Sequence, residues 1–163
     1  MGEEAVFEAL RAAAALVLPI PFSVRALLVQ LAHERGRRMR LHPVEPGWGG
    51  TSGWCGAWLE EPEADHIVYV RDPRSTSRNA GTILHEVGHI LLDHPGAPLP
   101  PGVILSTIGL TEATRVRGRA HFSSPEERAA ETFSTLILQA ATEHPAATEL
   151  SDPRLVRLRS RLG

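Results

Sequence analysis

A chain of 163 residues, 42% hydrophobic and 22% charged, has room for one ordinary domain with a real core, and this balance excludes wholesale disorder. Its 17 Lys and Arg against 19 Asp and Glu leave a formal charge of −2, which argues against bulk binding to a nucleic-acid backbone. The single cysteine, Cys55, excludes an internal disulfide framework and a four-cysteine zinc module, and it fits a reducing, cytoplasmic setting.

Residues 3–36 read as two helices. Val6, Ala9, Leu10, Ala13, Leu16 and Val17 recur at helical spacing in an alanine-rich run, and Pro19 and Pro21 end it. The apolar run Ala12 to Ile20 is broken by Pro19 and falls short of the about 20 residues a membrane span needs. Glu3, Glu4 and Glu8 precede it where a secretory leader would be positive, so no membrane association is expected. Ser23 caps the second helix, whose apolar side carries Val24, Leu27, Leu28 and Leu31, and Gly36 is its stop.

Residues 39–71 change character. Met39 to His42, Cys55 to Leu59 and His66 to Val70 read as three strands of a small twisted sheet. Between the first two, Pro43 to Gly53 reads as a loop. A third helix is expected over 76–93, capped by Ser75, Thr76 or Ser77 and closed off by Pro95 and Pro98. A short helix is read at Val103 to Leu110. Ser124 as cap, Pro125 in the first turn, and Glu126 and Glu127 against the helix dipole open a helix over 125–141. Ser151, Asp152 and Pro153 start a last helix over 152–161. The whole reads as a single α+β domain over 1–163, mostly helical, with a three-stranded sheet packed on the helix at 76–93.

That helix contains His85-Glu86-Val87-Gly88-His89, an H-E-x-x-H pattern. His85 and His89 are one turn apart, so both imidazoles leave the same face and can share one tetrahedral metal. Glu86, about 100° further round, is placed to take a proton from a water on that metal. A shuffled chain of this composition would contain the pattern about once in thirty, so its setting matters more than its letters. Ile83, Leu84, Val87, Ile90, Leu91 and Leu92 make the helix apolar nearly all round. Two histidines and a glutamate buried there need partners, and a metal supplies them. Gly88 allows another backbone or a substrate to approach closely.

A catalytic zinc takes three protein ligands and keeps one position open. His94 follows His89 by five residues and falls past the helix end, which makes it a C-terminal cap or a residue of the site rim. Glu127 is the preferred third ligand, with Glu126 and Glu131 as alternatives. Glu127 and Glu131 share one face of a helix whose Ala129, Ala130, Phe133, Leu136 and Ile137 are apolar. One carboxylate of such a pair can bind the metal while the other orients a ligand histidine. Ligand type suits Zn²⁺, with Mn²⁺ as the alternative metal.

The helix Thr82 to His94 with its H-E-x-x-H, followed by the segment Glu127-Arg128-Ala129-Ala130-Glu131-Thr132-Phe133, resembles the ImmA/IrrE metallopeptidases, particularly the short actinobacterial-type members. The resemblance spans residues 24–140. It implies a zincin-like, gluzincin-type zinc endopeptidase with His85, His89 and Glu127 as metal ligands, Glu86 as general base and Glu131 in the outer shell. Glu131 stands where the family often has Asn or Asp, and Ser134 where it often has Ala. The resemblance also implies a protein substrate, a helix-turn-helix transcriptional repressor encoded nearby, and roles in stress response or toxin–antitoxin pairs. A second oxyanion donor is needed, and His121, Tyr69, Arg78 and His94 are the candidates. The competing reading is a non-catalytic, metal-containing interaction module that sequesters a regulatory partner.

Overall fold

The helices begin and end where their capping residues stand. The computed structural model describes residues 2–47, 55–95, 97–98, 109, 117–120 and 123–143. Helix α1 spans Gly2–Ala15, α2 Val24–Arg35, α3 Thr76–Leu91 and α4 Ser124–Glu143. The Ser23 side chain accepts from the Ala26 amide at the start of α2, and Gly36, at φ 62°, closes its other end. Ser75 caps α3 in the same way through the Arg78 amide. At α4 the cap is Ser123, one residue earlier than the sequence predicts. Its carbonyl accepts from the Glu127 amide, and its own amide donates to the Glu126 carboxylate, which is half of a capping box.

The three expected strands are present as β1 (Arg38–Val44), β2 (Gly56–Glu60) and β3 (Ala64–Val70). Strand β1 continues through Pro43, which was expected to open a loop. It lies at the edge of the described sheet, where a missing N–H costs no ladder bond. Two short strands, β4 (Ala97–Pro98) and β5 (Arg117–Ala120), extend the expected three-stranded sheet to five in the order β1-β3-β2-β5-β4. Local patterning does not reveal them, because they are defined by pairing with a distant strand. β1 runs parallel to β3, and the other neighbours are antiparallel. The helix expected at 152–161 and His121 lie outside the described residues, as does all of the helix expected at 103–110 except Gly109, which is in a turn.

The architecture is mixed α and β, with four described helices and a small sheet, and it fits the α+β class. One face of the sheet contributes Met39, Leu41, Trp58, Ile67 and Tyr69 to the core. Against it lie α2 and α3, α4 packs on α3, and α1 packs on α4. Leu27, Leu31, Leu84, Ile90, Phe133 and Ile137 fill the space between these layers. The Asp65 carboxylate is fully buried in the sheet and satisfied there by Arg37 and by the Trp58 indole. No helix among the described residues is long and apolar enough to cross a membrane.

Candidate metal centre

The site forms where α4 crosses α3. Gly88 permits the crossing: a methyl group there would stand 3.0 Å from Ala130 Cα, so the two backbones are nearly in contact. Two turns earlier on α3, the Gly81 carbonyl accepts from the buried Ser134 hydroxyl of α4 at 3.0 Å. These contacts set the depth of α4 against α3. Glu127, in the first turn of α4, thereby reaches the histidine face of α3.

His85 Nε2 and His89 Nε2 lie 3.0 Å apart. Glu127 Oε2 is 3.2 Å from His85 Nε2, and Oε1 is 3.7 Å from His89 Nε2. Ligands about 2.05 Å from a tetrahedral ion are about 3.4 Å apart, so the three donors are spaced as such an ion requires. His89 is fully buried, whereas the side chains of His85 and Glu127 are 27% and 47% exposed, so the group opens to solvent on one side. Among the described residues this is the one cluster of three such side chains whose donor atoms converge. Two imidazoles and a carboxylate form a donor set suited to zinc.

The outer nitrogen of His89 is also engaged. Past α3, Leu92 caps the helix and Asp93 adopts φ 50°. The His94 amide then donates to the His89 carbonyl at 3.1 Å, and the Asp93 amide to the Ile90 carbonyl at 3.3 Å. This is a Schellman motif with aspartate in the position usually given to glycine. It turns His94 back into the protein, where it is 7% exposed and its Nδ1 lies 2.8 Å from His89 Nδ1. A consistent tautomer assignment puts the His89 proton on Nδ1, donated to His94, which frees Nε2 for a metal. Burial first, then the neighbouring His85 and His94, pushes His89 down to about 2, so it is neutral and available as a ligand.

Glu86 is 5% exposed, and its Oε2 has no hydrogen-bond partner. Burial, reinforced by the Glu127 carboxylate, pushes it up to about 8. A buried carboxylate with a free oxygen beside a converging donor set is a group poised to exchange a proton.

The other predicted positions divide. His94 is neither an exposed rim residue nor a simple cap. It supports His89 from behind and lines a cavity of about 340 Å³ with Glu4, Ala5, Glu8, Pro125 and Glu126. Glu131, expected to orient a ligand histidine, is exposed, and the residue found on the outer nitrogen of His89 is His94. Arg78 is 77% exposed, paired with Asp72 at 3.5 Å, and stands two turns before His85. Tyr69 lies opposite Gly56 in the β2–β3 pair and packs on the core.

Sequence reasoning missed a second histidine pair. His42 Nε2 lies 2.8 Å from His66 Nδ1, with the two rings stacked. His66 is buried, and Glu61 stands 3.2 Å from its Nε2 without the alignment of a hydrogen bond. The register Arg40↔His66 places His42 and His66 diagonally across β1 and β3, a relationship that no local motif announces.

No family model matches the chain, and no curated protein matches it.

Proposed function

We propose that this protein is a zinc-dependent endopeptidase of the ImmA/IrrE kind, acting on a helix-turn-helix repressor. The observation that carries the reading is the convergence of His85, His89 and Glu127 beside a buried carboxylate, Glu86, whose Oε2 is unpaired. A purely structural metal site has no use for a base next to its ligands. His85 and His89 would hold the ion through Nε2 and Glu127 through its carboxylate. When bound, the metal supplies an acidified water and a Lewis acid for the scissile carbonyl.

The chain's own groups do the rest. His94 holds His89 in the ligand tautomer. Glu127 neutralises charge and helps keep Glu86 protonated until a cation is present. Glu86, ionised once that cation is near, accepts a proton at its carboxylate and returns it to the leaving nitrogen. The exposed side of His85 and Glu127 is where an extended peptide would approach.

The test combines metal analysis with a cleavage assay against a purified helix-turn-helix repressor from the same source. The wild-type protein is expected to carry about one zinc and to cut the repressor. Glu86→Gln is expected to keep the metal and to lower the cleavage rate at least about 100-fold. A metal-loaded wild type that binds the repressor in a stable complex and leaves it intact would replace this reading with that of an interaction module. Unchanged cleavage by Glu86→Gln would remove Glu86 from the chemistry.

A further inference from the structure

Glu86 is held in place from the sheet side. Helix α3 presents Thr82 and Glu86, one turn apart, toward the start of β2, and the residue of β2 that meets them is Gly56. A methyl group at Gly56 would stand 2.6 Å from Glu86 Oε1, 3.2 Å from Glu86 Cδ and 3.1 Å from Thr82 Cγ2. The carboxylate therefore occupies the space that any other residue at position 56 would fill with its side chain. A glycine inside a strand is otherwise unfavourable, since it adds backbone entropy and packs nothing, and it marks a place where another group approaches closely.

The strand cannot retreat to make room. β2 pairs with β3 from Gly56 onward and, from Trp58 onward, with β5 as well. Two residues beyond Gly56, the buried Trp58 donates its indole N–H to Asp65 at 3.1 Å. The Thr82 methyl is tied to α3, where its hydroxyl donates to the Arg78 carbonyl at 3.2 Å. Of the three contacts, the end of the Glu86 side chain is the one free to swing away. Added bulk at position 56 is thus relieved mainly by displacing the carboxylate, which removes both Glu86 contacts and leaves only a small adjustment at the Thr82 methyl.

We propose that Gly56 is a positioning residue: its missing side chain forms the slot that fixes the Glu86 carboxylate against the metal centre. The proposal rests on the reading of Glu86 as general base for its functional consequence, and on the contact geometry alone for the slot itself. It also gives β2 a role in the site that the H-E-x-x-H helix by itself does not reveal.

Two measurements separate the slot from the peptidase reading. The first uses chelator-treated protein and needs no activity. Denaturation midpoints are recorded for wild type, Gly56→Ala, Glu86→Ala and the double variant. A slot predicts non-additivity, with the shift caused by Gly56→Ala differing between the Glu86 and Glu86→Ala backgrounds. Additive shifts would overturn the slot. The second uses zinc-loaded protein with fluorescein-labelled casein and a purified helix-turn-helix repressor as substrates. Gly56→Ala is expected to keep one zinc and an unchanged KM while kcat falls about 100-fold, the usual effect of misplacing a catalytic group by about 1 Å. In the Glu86→Asp background the shorter acid no longer meets the added methyl, so Gly56→Ala is expected to cost less than about threefold. Equal losses in both backgrounds, or a loss through KM or metal content, would overturn the positioning role. A wild type that cuts neither substrate while the first cycle is non-additive would refute the peptidase reading and keep the slot.

Discussion

His94 Nδ1 lies 2.8 Å from His89 Nδ1, on the side of the ring away from His85 and Glu127. A histidine ligand is normally fixed by a hydrogen bond on its second nitrogen, and the usual partner is a carboxylate or a carbonyl. Here it is another imidazole, delivered by a left-handed Asp93. His94→Ala should therefore keep the metal stoichiometry and weaken zinc binding about 10–100-fold. Glu127→Ala, which removes a ligand, should abolish stoichiometric binding. Titration against a competing chelator distinguishes the two. Loss of all metal in His94→Ala would make His94 a ligand, and an unchanged affinity would remove it from the site.

The difference between Glu127 and His94 shows how far the sequence could be read. Most of what one helix carries is legible. The spacing of His85 and His89, the caps Ser23 and Gly36, the α3 cap to within three residues, and the buried Leu27, Leu28 and Leu31 follow from local patterning. Glu127 was reachable because an acidic pair on an apolar helix is unusual. The burial of His94 against His89 was not legible because it depends on the conformation of one residue, and aspartate takes φ above zero far less often than glycine. Strands β4 and β5 and the His42–His66 pair depend on partners far along the chain. Gly56 carries no signal until β2 is laid against α3.

The metal-free protein should be most stable near pH 6.5. His89, His94 and His42 are all held below the ordinary histidine value of 6.5, in each case chiefly by burial. As pH falls through 6.5 the unfolded chain takes up these protons first, so stability is lost on the acid side. Glu86 acts in the opposite sense. Its pKa is raised from 4.5 to about 8, so the stability linked to it is complete below 4.5 and is lost as pH rises to about 8. Below 6.5 the three histidines outweigh the one glutamate. Above 6.5 the histidine contribution fades and the glutamate sets the slope, costing about 2 kcal/mol by pH 8. Urea midpoints of chelator-treated protein against pH should trace this maximum. Glu86→Gln should flatten its alkaline limb, and an alkaline limb unchanged in that variant would locate the effect elsewhere.

Gly88→Ala tests whether the closeness of α3 and α4 builds the site. The new methyl would meet Ala130 Cα at 3.0 Å and its Cβ and carbonyl oxygen at 3.3 Å. Backbone is the obstacle here, so α4 must move. Overpacking costs about 1–3 kcal/mol, partly offset by about 1 kcal/mol of better helix propensity. Glu127 is three residues from Ala130, so the larger effect should fall on zinc affinity, with a smaller shift in thermal midpoint. A stable variant with wild-type affinity would show that the backbone contact does not place Glu127.

Asp65 should be a costly single truncation outside the metal centre, on a par with that of a buried aromatic. Its Oδ1 accepts from Arg37 Nη2 and Trp58 Nε1, and its Oδ2 from Arg37 Nε, each at 3.1 Å. Arg37 also donates to the carbonyls of Pro62 and Glu61 at 2.8 and 2.7 Å, which ties the β2–β3 turn to the residue just past α2. The hydrogen bond and charge of Asp65 hold the Arg37 guanidinium above its ordinary range. Asp65→Ala would leave that cation and the buried indole without their acceptor, at about 3–5 kcal/mol. Asp65→Asn keeps an acceptor for the indole and drops a charge-assisted bond, at about 2 kcal/mol. Chemical denaturation at neutral pH measures both. Asp65→Ala and Asp65→Asn losing equally little would mean that the buried pair sets the geometry of the sheet without stabilising it.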